Sequence, residues 1–324
     1  MQFQLSLDIP KLPKPIKYQD KILLIGSCFT EHISDRLAAN KFMTCSNPHG
    51  ILFNPLSVAK SLNSYSEGKV YAEEELFYLN ELWNSWDHHT RFSDVDKDRA
   101  LQKINDSQKE ASAFLKETDW VMITLGSAFQ YYLKEKNLAV ANNHRAPAQW
   151  FEKRLLSIKE ITEELSQAIH KIQSINPKAQ ILFTISPVRH IRDGVVDNNR
   201  SKARLIEAVY ALCNSFENAH HFPAYELVID ILRDYRFYDV DMVHPNYPAT
   251  QFVWERFVAS CVEEKSQEIM EQVQDVMTAK NHRTRFPNTD AHRNFLASYK
   301  TKTETLMTMF PFLKLDEELN YFSL

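Results

Sequence analysis

The sequence predicts an α/β fold in which a mainly parallel sheet of five strands lies between layers of helices. Short apolar runs alternate with longer amphipathic segments along the first 264 residues. Each run ends in glycine, proline or polar residues, and its length and β-branched content favour a buried strand. Strands that alternate with helices form βαβ units, which place helices on both faces of a parallel sheet.

Five apolar runs are predicted to form this sheet, and FMTCSNP is the weakest of them. In chain order the predicted strands are 21–26, 42–48, 120–126, 181–188 and 225–230. Two further runs within 129–143 predict a hairpin inserted after the third strand. The amphipathic segments between the strands predict helices at 30–41, 96–117, 152–173, 201–219 and 248–264.

The pattern changes near residue 265 and divides the chain into two predicted parts. Residues 1–264 are expected to form the α/β domain, and 265–324 a helical C-terminal extension packed on it. The last helices carry an apolar stripe that includes Phe295, Leu306, Met309 and Phe312. Packing against the main domain explains the stripe, and a surface for a homo-oligomer or another partner is the alternative.

Composition restricts the function classes. Hydrophobic residues make up 44% of the 324 residues and charged residues 25%, as in soluble globular proteins. A net charge of −4 argues against a general nucleic-acid binder. Signal-peptide features and long apolar runs are absent from the sequence, and its four cysteines are scattered. We therefore expect a cytoplasmic protein with free thiols and with no nucleic-acid or membrane partner.

The few glycines of the chain indicate where a site lies. The sequence has five, and four of them follow predicted strands: Gly26, Gly50, Gly126 and Gly194. Ligands of open parallel sheets bind at the carboxyl ends of the strands, where glycine permits close backbone approach. Ordinary turns explain any one of these glycines, but the group favours a site. Since dinucleotide and phosphate-loop motifs are absent from the sequence, we predict no cofactor.

Ser27 and Cys28 stand at the first predicted strand-to-helix turn. A helix N-terminus offers unpaired N–H groups and the positive end of the helix dipole, which lower a thiol pKa and hold an oxyanion. A helix-capping serine beside a small buried cysteine explains the same pair equally well.

Asp241 and His244 form an Asp-x-x-His pair before the last helix of the predicted domain. A carboxylate at this spacing can accept the Nδ1 proton of the imidazole, which leaves Nε2 free to face a nucleophile. Surface pairs of this kind are common. This one gains weight because the first strand of the same domain ends in Ser-Cys.

These residues lie in segments through which the chain resembles the GSCFA family of the SGNH/GDSL hydrolase superfamily. The matching segments run in order through most of the first 256 residues: 25–33, 47–62, 124–131, 140–151, 184–194 and 225–245. The resemblance implies a flavodoxin-like three-layer α/β/α sandwich. It also implies ester hydrolysis or acyl transfer as the activity.

The resemblance implies roles for particular residues. The superfamily's Gly-Asp-Ser-Leu block, aligned with GSCFT, puts the nucleophile on Cys28 rather than on Ser27, with its glycine on Gly26. The Asp-x-x-His block falls on Asp241 and His244. Oxyanion-site glycines fall on Gly50 and Gly126. Ala128 stands where the superfamily has an oxyanion-binding asparagine, and the candidates to replace that asparagine are Asn142, Asn143 and His144.

Other polar clusters are weaker candidates. His88 and His89 lie among aromatic residues, as in a small-molecule pocket, although structural histidines fit as well. Arg189, with His190 and Arg192, could bind an anionic group of an acyl carrier, and a solvated basic loop is the alternative. The histidines lack the spacing of a zinc site, so we predict no metal.

The sequence leads to the hypothesis of an esterase that cleaves an ester of a carbohydrate or small molecule, with an O-acetyl carbohydrate preferred by superfamily analogy alone. Cys28 attacks the carbonyl, and His244, oriented by Asp241, moves the proton. The backbone N–H groups of Cys28 and Gly50 hold the oxyanion. Two alternatives stay open: an acyl-CoA-dependent O-acyltransferase, and a non-catalytic ligand-binding module.

Overall fold

A computed structural model describes residues 5–323. Its strands are β1 (Lys21–Gly26), β2 (Met43–Ser46), β3 (Leu76–Leu79), β4 (Leu82–Ser85), β5 (Trp120–Leu125), β6 (Phe129–Leu133), β7 (Leu138–Val140), β8 (Phe151–Leu155), β9 (Gln180–Ile185) and β10 (Ala219–His221). Its helices are α1 (Cys28–Ala39), α2 (Pro55–Glu67), α3 (Lys97–Glu117), α4 (Ile158–Ile175), α5 (Val195–Ser215), α6 (Ala224–Glu226), α7 (Tyr247–Cys261), α8 (Glu264–Asn281), α9 (Asp290–Met309) and α10 (Asp316–Phe322).

The central sheet has five parallel strands in the order β2-β1-β5-β9-β10. This is the flavodoxin-like order, so the predicted three-layer α/β/α class is confirmed. The strand order reverses between β1 and β5. In such sheets the crevice outside the carboxyl ends of the two strands at the reversal is the usual place for a ligand.

Both faces of the sheet are covered, which explains the continuous apolar runs. On β1, Leu23 and Ile25 belong to the core that includes residues of α2, α3, α4 and α5. Ile22 and Leu24 point to the opposite core, shared with α1, α7 and α8. Each strand therefore buries successive side chains in two different apolar layers.

The fifth predicted strand, 225–230, is wrong. The segment forms α6 and a π-helical turn over Leu227–Ile231, in which Leu227 and Val228 are buried. An apolar run of six residues can fill a helical turn as well as a strand. The edge strand is instead β10, three residues that pair with β9 and contain His220 and His221.

The predicted hairpin after β5 is confirmed as β6 and β7, but it is part of a larger insertion. β8 pairs with the other edge of β6 and makes a three-stranded antiparallel sheet. The predicted start of a helix at 152 is therefore wrong. α4 begins at Ile158, where Ser157 and Glu160 form a capping box.

The C-terminal helices share a core with the α/β part. Leu306, Leu313 and Phe322 pack in the same apolar cluster as residues of β1 and α1. Glu318 on α10 is fully buried and pairs with Lys41 at 3.0 Å and with Lys280 at 2.8 Å. Of the predicted apolar stripe, Leu306 is buried and Met309 is exposed. No helix within residues 5–323 is both long enough and apolar enough to cross a bilayer.

Candidate active site

The turn after β1 depends on a close approach between two strands. Gly26 has φ 146°, and a Cβ there would lie 2.2 Å from the carbonyl oxygen of Thr124 on β5. Asn47 Oδ1 accepts a hydrogen bond from Gly26 N at 2.8 Å, and Ser27 N donates to Thr124 O at 3.1 Å. Since only glycine fits this conformation, the sequence fixes Ser27 and Cys28 at the carboxyl edge of the sheet.

Ser27 and Cys28 differ in access. Ser27 is 1% exposed, and its hydroxyl is buried without a hydrogen-bond partner among the described residues. Cys28 is the first residue of α1 and is partly exposed. A substrate at the sheet edge can therefore reach the thiol more readily than the hydroxyl.

The Cys28 thiol is not a spontaneous thiolate. Burial raises its pKa, and the charge of Glu31 acts in the same direction. The backbone N–H groups of Phe29 and Cys28, and the ammonium of Lys202, oppose this shift only in part. The expected lowering of the pKa by the helix N-terminus is therefore wrong in its net direction, and a reaction at Cys28 needs a base.

Asp241 and His244 are joined as the sequence predicts. His244 Nδ1 lies 2.5 Å from Asp241 Oδ2. Asp241 Oδ1 accepts hydrogen bonds from the backbone N–H groups of His244 at 3.0 Å and Val243 at 2.9 Å. These bonds, led by the one from the His244 N–H, lower the pKa of Asp241 to about 2. The carboxylate is thus ionised at neutral pH and directs Nε2 of the imidazole away from itself.

His244 lies at the same edge of the sheet as Cys28. Its charge acts on His32, which follows Cys28 by one turn on the same face of α1. It also acts on His190, whose Nε2 adjoins Gly126. No hydrogen bond links His244 to Cys28 in the described part of the chain. Catalytic hydrogen bonds often form only once substrate is bound.

The two glycines expected at an oxyanion site both have engaged N–H groups. Gly50 N donates to Asn47 O at 2.6 Å, and Gly126 N donates to Phe53 O at 2.8 Å. Gly50 has φ 82°, and a Cβ there would lie 2.1 Å from His89 Cβ. The absence of a side chain at Gly50 therefore permits close packing against His89. Its role as an oxyanion donor stays a prediction, and that role would require the hydrogen bond from Gly50 N to Asn47 O to break.

His88 is a structural histidine, and His89 is not buried with it. His88 Nδ1 bonds to Ser85 Oγ at 2.9 Å, and its ring lies 4.1 Å from that of His49. His49 Nε2 bonds in turn to Gln108 Oε1 at 2.7 Å. His89 is partly exposed and lies within electrostatic reach of Glu31 on the first turn of α1.

The buried histidines predict a loss of stability in mild acid. Burial lowers the pKa of His49 to about 3 and holds that of His88 well below its usual value. Below pH 6.5 the unfolded chain therefore binds more protons than the fold, so stability falls as pH falls. Between pH 7 and pH 5 we expect the free energy of unfolding to drop by about 2 kcal/mol for each ring. Urea unfolding at the two pH values measures the drop. His49→Gln should reduce this drop in unfolding free energy by the contribution of one ring. An unchanged drop in that variant would contradict the role of buried, neutral His49.

Asn142 and His144 hold the insertion together. Asn142 Oδ1 accepts a hydrogen bond from the His144 N–H at 2.8 Å. His144 Nε2 lies 2.7 Å from Ser85 O, and its buried ring packs against Trp86 and Phe77. These contacts join the hairpin to β4, and they explain both residues without an oxyanion role.

Arg189 joins the loop after β9 to the loop that carries the Asp241–His244 pair. It is partly buried, and its guanidinium lies close enough to the Tyr238 hydroxyl to oppose the rise that burial causes in the pKa of Tyr238. Tyr238 in turn forms an isolated antiparallel bridge with Pro245, next to His244. Arg189 therefore supports the position of that loop, and its predicted binding of an anionic substrate group stays a prediction.

Sequence reasoning missed Lys202. It lies on α5, is 1% exposed, and donates from Nζ to Gly126 O at 2.7 Å and to Ser186 O at 2.6 Å. Burial lowers its pKa to about 7, while the nearby Cys28 thiol acts in the opposite direction. A signal was present, because Lys202 shares helical spacing with the buried Leu205 and Val209.

Metal ligation has no support in the arrangement of side chains. Across residues 5–323, no group of three or more His, Cys, Asp or Glu side chains is placed to hold an ion.

Comparison with family models divides the chain into two matched regions. The model described as "GSCFA family" matches residues 21–257. The model described as "GSCFA domain protein, C-terminal domain" matches residues 273–324. No curated protein sequence matches the chain.

Solved structures similar to the chain include three esterases, each with a TM-score of 0.35. A Clostridium thermocellum family 3 carbohydrate esterase is 10% identical and covers 78% of this chain and 98% of its own. An acetyl esterase mutant with an acetate ion is 11% identical, and the match covers 80% of this chain and 100% of the esterase chain. A carbohydrate esterase family 3 protein from Talaromyces cellulolyticus is 9% identical and covers 79% and 99%. Similarity at this level carries no information on activity.

Proposed function

Because the chain belongs to the GSCFA family, we propose that it is a thiol-dependent hydrolase of acyl esters. One observation carries the proposal. An accessible Cys28 at a helix N-terminus and an Asp241-oriented His244 lie at the same carboxyl edge of the sheet. A nucleophile, a base and a group that orients the base are the components of acyl transfer through a covalent intermediate.

The first half-reaction forms a thioester. His244 Nε2 accepts the thiol proton as Cys28 Sγ adds to the carbonyl carbon of the ester, and the carbonyl oxygen becomes an oxyanion. The backbone N–H of Cys28, at the first position of α1, is the proposed donor to that oxygen. Collapse breaks the carbon–oxygen bond of the ester. The imidazolium returns its proton to the departing alcohol, and Asp241 stabilises the transient charge on His244.

The second half-reaction hydrolyses the thioester. His244 removes a proton from water, and the hydroxide equivalent adds to the thioester carbonyl. Collapse releases the carboxylic acid and returns the proton to Cys28 Sγ. The substrate that we propose is an O-acetyl carbohydrate or another small ester, a choice that rests on superfamily analogy.

Covalent labelling tests the proposal. Brief exposure to p-nitrophenyl acetate, followed by intact-mass and peptide analysis, should place one acetyl group on Cys28. Ser27→Ala should keep the label and Cys28→Ala should lose it, because Ser27 Oγ is buried. Cys213→Ala removes a partly exposed thiol elsewhere and is the matched control. A label lost only in Ser27→Ala would move the nucleophile, and no label in any protein would favour the binding module.

A further inference from the structure

An oxyanion at Cys28 needs a second donor, and three backbone N–H groups that could supply it are already engaged. The N–H groups of Gly126 and Ser127 both donate to Phe53 O, at 2.8 and 2.9 Å. The N–H of Gly50 is engaged with Asn47 O. A single donor rarely accounts for oxyanion stabilisation, since such sites use several groups aimed at one oxygen. A side chain at the foot of the nucleophile turn is the remaining source.

His190 occupies that place. A Cβ built at Gly126 would lie 3.3 Å from Ser27 Cβ and 3.4 Å from His190 Nε2, so both groups border the same small space. The imidazole rests edge-on against the ring of Phe53, with centroids 5.5 Å apart. The backbone N–H of His190 donates to Asn198 Oδ1 at 2.9 Å. Ring and backbone are thus both held.

The surroundings of His190 keep it neutral. Burial lowers its pKa to about 4, and the charges of Lys202, Lys153 and His244 act in the same direction, against Asp193. A neutral imidazole presents one N–H donor and does not gain a second proton near neutral pH. The same low basicity makes His190 a poor proton acceptor, which leaves the role of base to His244.

We propose that His190 is a catalytic residue whose Nε2–H donates to the substrate's carbonyl oxygen while Cys28 Sγ adds to the carbonyl carbon. The inference rests on the proposed function, since it assigns a role in the same reaction. No proton is transferred by His190 in this step. It acts by donating a hydrogen bond that strengthens as charge develops on the oxygen.

The test compares two reactions of the same thiol. Acetylation by p-nitrophenyl acetate passes through an oxyanion, whereas alkylation by iodoacetamide does not. His190→Phe keeps a ring against Phe53 but lacks the donor. We expect its acetylation rate to fall by about 10²-fold, at an unchanged half-saturating ester concentration and an unchanged alkylation rate.

His190→Gln, which can offer an amide N–H, should recover part of the loss. His32→Gln removes another histidine near His244 and should acetylate normally.

The outcomes separate the inference from the proposed function. Alkylation of Cys28 in the wild-type protein without any acetylation would contradict both the proposed function and the role of His190. Normal acetylation in His190→Phe, or an equal fall in acetylation and alkylation, would overturn the role of His190 alone. Should His190→Phe fail to fold, His190→Ala takes its place, because His190→Gln keeps an amide donor. A wild-type ratio of acetylation to alkylation in His190→Ala would overturn the role of His190, and a fall in that ratio would support it.

Discussion

Replacing His244 by alanine is expected to slow acetylation of Cys28 by about 10²–10⁴-fold. Burial raises the pKa of the Cys28 thiol, so little thiolate exists near neutral pH without a base. The His244 side chain is the candidate base, because Asp241 binds its Nδ1 and leaves Nε2 free. Single-turnover acetylation at pH 7, with the label mapped to Cys28, measures the loss.

His292→Ala is the control for this prediction, since it removes a histidine on α9 that packs against Phe295. It should leave acetylation unchanged. A rate for His244→Ala within about threefold of wild type would contradict the role of His244. The next candidate would then be Lys202, whose pKa is lowered to about 7 by burial and whose charge acts on Cys28.

Replacing Gly26 by alanine is expected to lower the free energy of unfolding by at least about 3 kcal/mol. The added Cβ would meet Thr124 O at 2.2 Å, and the φ of 146° is one that L residues rarely adopt. Relief of the clash requires β1 and β5 to separate at the centre of the sheet. Urea unfolding of the two proteins measures the difference.

Gly68→Ala is the matched control. Gly68 ends α2 with φ 63°, and a Cβ there meets no atom within 4 Å. Gly68→Ala carries the cost of a left-handed helical conformation without a clash, so we expect a loss of only about 1 kcal/mol. A loss for Gly26→Ala no greater than the loss for Gly68→Ala would contradict the predicted clash between β1 and β5.

The central strands could be predicted because burial on both faces leaves a continuous apolar signal in β1, β5 and β9. The edge strand β10 could not. Edge strands need less burial, and Ala219–His221 has no apolar run. The segment 225–230 predicts a strand because it holds an apolar run, and an apolar run of this length does not by itself separate a strand from a helical turn.

The candidate site likewise contains residues that the sequence reveals and residues whose roles it does not reveal. Cys28, Asp241 and His244 could be found because each carries a local signal, either a glycine turn or an i, i+3 spacing. The roles of His190 and Lys202 could not be predicted, since their surroundings arise from contacts between β5, β9 and α5. Helical spacing marks Lys202 as a residue that faces the core, but the lowered pKa values of both residues come from tertiary burial, the extent of which spacing along the chain does not reveal.

The buried carboxylate of Glu318 links segments that the family models assign to different regions. Lys41 follows α1, Lys280 lies in the last turn of α8, and Glu318 lies on α10. Unfolding of the last helices alone would leave both lysines without their acid. It would also expose apolar side chains that share one buried cluster with residues of β1 and α1. We therefore expect the two regions to melt in one cooperative transition. The boundary between the two matched sequence regions would then not be a boundary between independently folding units.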